Sequence, residues 1–160
     1  MNFLEFIKRK TTTDQLINMV KVSVSDNEII LKTLQTEQWT EGKDRNGDII
    51  GKYAKTTQDI AKRANPKPNR PKIAGEPWNL DWTGELNRRT DIKTRTITND
   101  VLIKIDSTSS TEPKLFDQIL RSGLIQDPNT IFGYQPKRKD VVTRIIKTTA
   151  LSKLKRKLNV

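Results

Sequence analysis

Apolar positions in this chain fall in short clusters separated by long polar stretches, and their spacing predicts the elements. Phe3, Leu4, Phe6 and Ile7 form one group and Leu16, Ile17, Met19 and Val20 a second. Residues 1–22 therefore read as helical, with Thr13 or Asp14 as a cap and the threonines at 11–13 breaking the segment in two. After the turn signal Asp26-Asn27, the residues Glu28, Ile29, Ile30, Leu31 and Lys32 are short and β-branched, which predicts a strand. Asn46-Gly47 is the strongest hairpin signal, because a type I′ turn needs positive φ at both central residues.

Residues 54–64 read as a short, weakly apolar helix. Residues 65–77 cannot follow it as helix: Pro66, Pro68, Pro71 and Pro77 remove backbone donors and helical φ/ψ freedom. They read as an extended loop, either disordered or ordered against a neighbour. From Asn79 the pattern turns strand-like. Ile92, Thr94, Thr96 and Thr98 alternate with Lys93, Arg95 and Ile97, and residues 101–106 follow a turn signal at 98–100, so the pair predicts an antiparallel hairpin. Residues 107–111 are a polar connector. A helix from Pro113 to Arg121 stops at Gly123. The last helix, about 136–158, opens on Pro136 and carries Val142, Ile146, Ala150, Leu154 and Leu158 every fourth residue, one apolar stripe with a basic opposite face. The expected fold class is α+β: an antiparallel sheet with a central β-hairpin, packed by N-terminal and C-terminal helices, in a single domain over residues 1–160 with a long basic loop at about 62–77.

Composition sharpens this picture. Only 33% of the 160 residues are hydrophobic, against roughly 45–50% in an average globular domain, glycine included. The core is expected to be modest, with partner contacts adding stability. Cysteine and histidine are both absent. That excludes a disulfide framework, a thiolate or imidazole metal site, and Ser-His-Asp or Cys-His chemistry. No stretch approaches the roughly 18–20 apolar residues of a bilayer span, and the N-terminus places its apolar part before its basic part, the reverse of a signal peptide. A soluble chain that stays where it is made is expected.

The formal net charge is +11, and it is concentrated in two places. Lys62, Arg63, Lys67, Arg70 and Lys72 share the proline-rich loop without an acid. Lys137, Arg138, Lys139, Arg144, Lys147, Lys153, Lys155, Arg156 and Lys157 share the tail with Asp140 alone. Phosphate contact accounts for both, since neutralised phosphates release counterions. A solvated helix face that complements the helix dipole, or docking on an acidic protein surface, accounts for them as well. Stacking platforms for bases are missing: Trp78 and Trp82, four residues apart, suit core or interface anchors better. The run Gly47 to Lys52 is one residue short of a phosphate loop, and Tyr53 follows where Ser or Thr is needed. Asp44, Asn46 and Asp48 alternate like a calcium loop, but Ile49 and Lys55 stand where glycine and a bidentate acid belong. Asp81 and Glu85 are the one carboxylate pair near the tryptophans, and capping or solvation explains them without a glycosidase cleft. No general base of near-neutral pKa is present, so catalysis is not expected.

Three segments together resemble the small neck proteins of tailed bacteriophages. The first is residues 34–54, from Leu34-Gln35-Thr36-Glu37-Gln38-Trp39 through Gly42, Asp44 and Gly47 to Tyr53-Ala54. The second, beyond a proline- and lysine-containing loop, is Leu80-Asp81-Trp82-Thr83-Gly84-Glu85-Leu86 ahead of a hairpin. The third is Ile131-Phe132-Gly133-Tyr134 before the terminal helix. The likeness covers roughly residues 14–158 in matching order. Trp82 and Glu85 depart from the residues common in that family, and the loop is unusually basic.

The resemblance implies a non-enzymatic virion component like the head–tail joining and tail-completion proteins, including those of crAss-like phages. Such proteins form a closed ring, sixfold or twelvefold, below the portal. The implied partners are further copies of the chain, the portal protein and adjacent neck or tail proteins, with no cofactor and no membrane. The implied location is the virion neck, after assembly in the host cytoplasm. On this reading the expected interface residues are Trp39, Trp78 and Trp82 as anchors, Lys62, Arg63, Lys67, Arg70 and Lys72 on the loop, and Val142, Ile146 and Leu154 on the last helix. Gly84 is expected to adopt a φ that other residues avoid. Lys137, Arg138, Lys139, Lys153, Lys155, Arg156 and Lys157 are the candidates for nonspecific contact with packaged DNA through phosphates. The alternative expectation is a free-standing, sequence-nonspecific nucleic-acid-binding protein.

Overall fold

The computed structural model describes residues 11–108, 112–123, 125 and 127–159. The first apolar group, Phe3, Leu4, Phe6 and Ile7, lies outside the described residues, as do residues 109–111 of the polar connector. Helix α1 spans Thr13–Asp26, past the expected end near Val22. Its cap is Thr12 rather than Thr13 or Asp14. Thr12 Oγ1 accepts from the Gln15 amide at 3.3 Å, and Gln15 Oε1 accepts from the Thr12 amide at 3.2 Å, a reciprocal capping box.

The predicted strand at 28–32 is instead the first turn of helix α2, Glu28–Thr40. Three consecutive aliphatics suggest a strand locally. The buried residues, however, are Leu31, Gln35, Gln38 and Trp39, the spacing of one helix face, while Ile29, which a strand would put on the same face as Leu31, is exposed. Packing of that stripe overrides the β-branched preference of Ile29 and Ile30. Asn27 separates the two helices, and its Nδ2 donates to the Ser23 carbonyl at 2.7 Å and to Thr149 Oγ1 at 3.1 Å.

Nor does Asn46-Gly47 close a type I′ hairpin. Gly47 has φ +93°, but Asn46 is not among the positive-φ residues, and the flanking chain forms one isolated bridge, Lys43 with Ile49. The turn is built by Asp44. Its buried Oδ1 accepts from the Asn46 amide at 2.8 Å and the Asp48 amide at 2.9 Å, so a side chain replaces the strand ladder.

Helix α3, Lys55–Arg63, forms as expected. The segment from Asn79, expected to be strand-like, runs irregularly into a single helical turn, α4, Glu85–Arg88. Gly84 precedes it at φ 71°, the left-handed conformation expected there. Strands β1, Thr90–Ile97, and β2, Asp100–Ser107, form the expected antiparallel hairpin, with Thr98 at φ 54° in the turn. The register pairs Ile92 with Ile105 and Thr94 with Ile103, which directs these residues to one face, while Lys93 and Lys104 pair on the other. Helix α5, Glu112–Ser122, stops at Gly123, which has φ +69°. A 3₁₀ turn at Pro128–Ile131, which the sequence pattern did not predict, leads into α6, Pro136–Leu158, with its proline in the first turn. Helices and one two-stranded antiparallel sheet make the fold α+β. Among the described residues, no helix is long and apolar enough to cross a membrane.

Among the described residues, most of the buried apolar side chains fall into two clusters, with α2 reaching from one to the other. Leu31 joins Val24, Ile105, Tyr134, Val142 and Ile146, where α1, the hairpin and α6 meet. Trp39 joins Ile50, Leu86, Ile119, Ile125 and Ile131, beneath the loops and α5. Phe132 packs on both clusters and meets Trp39 and Phe116 edge-on, at centroid distances of 5.9 and 6.1 Å.

Candidate functional site

The site grows from the way residues 51–54 capture the proline-rich loop. The Trp78 amide donates to the Gly51 carbonyl at 2.8 Å, the Tyr53 amide to the Glu76 carbonyl at 3.0 Å, and the Gly75 amide to the Tyr53 carbonyl at 2.9 Å. Gly51 lets the Trp78 indole lie against the backbone, because a Cβ there would stand 2.6 Å from the ring. The returning loop therefore orders on its own chain from Asn69 onward, where the sequence left disorder or a neighbour as its fate.

Lys72 anchors that return. It is 4% exposed, uncommon for a lysine. Its ammonium donates to Asn79 Oδ1 and, at 2.8 Å, to the Asp81 carbonyl. It also lies over two rings, 5.4 Å from the centroid of Tyr53 and 5.8 Å from that of Trp82. The Tyr53 hydroxyl donates to Asn79 Oδ1 and accepts from the Asn79 amide, both at 3.0 Å. Burial lowers Lys72 to about 8, against the opposing pull of the Asp81 carboxylate, and raises Tyr53 to about 12. Asp81 is held in turn by Asn69 Nδ2 at 3.0 Å and Arg70 Nε at 3.5 Å. Those bonds hold a carboxylate for which the sequence suggested capping or solvation.

Trp78, Leu80, Trp82, Leu86 and, from α5, Leu115 wall an open cavity of about 870 Å³ beside this network. Lys52, Lys114 and Arg121 also line it. The positive φ of Leu80, 41°, and the left-handed Gly84 turn the intervening chain around the cavity. Trp78 and Trp82, expected as anchors, thus come together on one apolar wall. The sequence signal for the cavity was limited to their four-residue spacing; nothing local announced Leu115 or the buried state of Lys72. A second, smaller depression of about 360 Å³ lies between α1, the hairpin and α6, lined by Leu16, Met19, Ile103, Val142, Ile146 and Leu154 among others.

Other predicted interface residues are placed differently. Trp39 is 1% exposed, and its Nε1 donates to the Ile131 carbonyl at 2.7 Å. It is a core residue of its own chain, with no surface left to anchor a neighbour, because the third motif segment closes over it. Lys72 is likewise consumed internally. Lys62 and Arg63, expected on the loop, are exposed in the last turn of α3, and Lys67 and Arg70 are exposed on the loop that follows. Val142, Ile146 and Leu154 are buried against α1 and the hairpin, with their edges at the smaller depression.

The predicted phosphate contacts divide. Lys137, Lys139, Lys155, Arg156 and Lys157 are exposed on α6. Arg138 is not available: its side chain is 13% exposed and its guanidinium pairs with Glu37 at 2.8 Å and Glu41 at 2.6 Å, clamping the start of α6 to the end of α2 and its C-cap. Lys153 pairs with Asp26 at 2.6 Å, tying α6 to α1.

By class, then, this is an α+β chain whose candidate site is an open aromatic cavity behind a buried lysine. No protein-family model, curated protein or solved structure matches it.

Proposed function

We propose that this chain is a non-enzymatic subunit of a ring in the neck of a tailed bacteriophage, joining portal to tail and continuing the DNA channel. The observation that carries the reading is the apolar surface left open by the fold. Among the described residues, a cavity of about 870 Å³ and a depression of about 360 Å³ stand open, and Ile29, Ile60, Leu120 and Leu102 are half or more exposed. Open apolar concavities of this size are surface that neighbouring subunits can bury. The three segments that carry the resemblance support it by forming one connected unit. Gln35 Oε1 accepts from the Gly133 amide at 3.0 Å, Gln38 Oε1 accepts from the Gln135 amide at 2.7 Å, and Tyr53 holds Asn79 beside the second segment.

A second reading, a nonspecific nucleic-acid-binding protein, is favoured by the exposed basic row Lys137, Arg144, Lys147 and Lys155 along α6. Salt separates the two. Contact between like-charged subunits through apolar surface strengthens as salt screens the net +11. Phosphate contact weakens steeply. The test is labelling of purified particles with an antibody against this chain under the electron microscope, together with light scattering of the isolated protein across a salt series. Label at the neck and a salt-stabilised oligomer support the ring. Absence from mature particles, with a monomer that binds duplex DNA along a steep salt slope, overturns it in favour of the second reading.

A further inference from the structure

We infer that Ile29 and Ile30, in the first turn of α2, seat in the cavity walled by Trp78, Trp82, Leu86 and Leu115 of a second copy of this chain, so that copies join head to tail. The inference rests on the ring reading and names the contact that would build it.

The projecting side is unusual in its exposure. Ile29 is 82% exposed and Ile30 48%, adjacent β-branched aliphatics standing in water at a helix start. The receiving side has the matching chemistry, with two indoles and two leucines around a space of about 870 Å³. One isoleucine cannot fill it, but the end of a helix carrying two can.

Placement decides that the contact is intermolecular. Leu31 roots the start of α2 in one apolar cluster, and Trp39 roots its end in the other, the cluster that includes the cavity residues Trp78, Leu80, Leu86 and Leu115. Ten residues of helix separate Ile29 from Trp39, roughly 15 Å of rise. Because α2 is a continuous helix, a chain cannot bring its own Ile29 into its own cavity. Projection and cavity therefore lie at opposite ends of one rod. A heterologous contact of this kind repeats around an axis and closes a ring when the rotation permits.

Charge does not set this direction. Asp26 and Glu28 precede Ile29, but each is neutralised within its own chain, by Lys153 at 2.6 Å and Lys32 at 2.8 Å. The cavity is lined by Asp81 and Glu85 as well as by Lys52, Lys114 and Arg121. The isoleucines, not the charges, supply the affinity.

The absence of native cysteine makes the test clean. Ile29→Cys and Lys114→Cys are both exposed positions, so neither threatens the fold. Mixed and oxidised, the two single variants are expected to form a 29–114 heterodimer, and the double variant a ladder of dimer, trimer and higher species. A control pairing of Ile29→Cys with Lys147→Cys on α6 is expected to cross-link far more slowly. In parallel, Ile29→Asp is expected to raise the self-dissociation constant about ten- to hundredfold in light scattering, with a thermal transition unchanged at dilutions where both proteins are monomeric. Cross-linking no faster than the control overturns the contact. So does an oligomer indifferent to Ile29→Asp, which leaves the ring reading standing on some other surface. A wild-type chain that stays monomeric at its highest soluble concentration also overturns the contact, and the ring reading is then judged by the particle labelling alone.

Discussion

The indole Nε1 of Trp39 donates to the carbonyl of Ile131, 92 residues away, at 2.7 Å. That bond joins the end of α2 to the 3₁₀ turn before α6, and the same carbonyl accepts from Gln35 Nε2 at 3.2 Å. Trp39→Phe keeps most of the buried ring and leaves the carbonyl one partner, so a loss of about 1 kcal/mol is expected. Trp39→Ala empties the site, and about 3–5 kcal/mol is expected. Urea unfolding of the two variants checks the ratio. Equal losses would mean that the bond, not the buried ring, joins these segments.

Two glycines beneath Trp78 give a second expectation. At Gly51 the obstacle to a side chain is the Trp78 ring at 2.6 Å. Gly51→Ala is expected to displace the indole, cost about 1–3 kcal/mol and shift tryptophan emission to the red. Gly42 combines φ +70° with a Cβ position 2.5 Å from Pro77 Cβ and 2.6 Å from the Trp78 carbonyl oxygen. Gly42→Ala therefore meets both strain and immovable backbone, and the larger loss in urea midpoint is expected there.

The Lys72–Tyr53 pair makes stability depend on alkaline pH in two opposite ways. Lys72 is lowered from 10.5 to about 8, so between those values the unfolded chain holds the extra proton and stability rises with pH. Tyr53 is raised from 10.0 to about 12, so its stabilisation is complete below pH 10 and is lost as pH climbs through 12. The difference between wild type and Lys72→Met isolates the first limb from the discharge of surface lysines. Urea midpoints from pH 7 to 11 are expected to show that difference changing between pH 8 and 10. A constant difference would place Lys72 in water.

Arg138 separates structure from nucleic-acid contact. Removing its paired guanidinium in Arg138→Ala releases α6 from Glu37 and Glu41, and about 1–2 kcal/mol of stability is expected to go, since both acids are largely exposed. Duplex retention at low salt is expected to stay unchanged. Arg144→Gln with Lys147→Gln, on the exposed face of the same helix, is expected to do the converse: weaker retention, a shallower salt slope and no change in melting. Loss of retention on Arg138→Ala alone would contradict the clamp.

The chain's local patterns were sufficient for α3, the β-hairpin, the Gly123 stop of α5, the left-handed Gly84 and the whole of α6. Each rests on interactions among near neighbours: a cap, an alternation, a fourfold stripe, a residue without a Cβ. What local pattern could not reach is whatever depends on a distant partner. Ile29 and Ile30 look like strand residues until the stripe of Leu31, Gln35 and Trp39 finds residues 131–135 to pack on. Lys72 and Arg138 look like solvated cations until Asn79 in one case, and Glu37 with Glu41 in the other, are brought alongside. The cavity, too, exists only because α5 comes to rest beside Trp78 and Trp82. Tertiary structure decided these because burial and pairing energies exceed local preference, and their partners are set by the path of the backbone, which no short window of sequence contains.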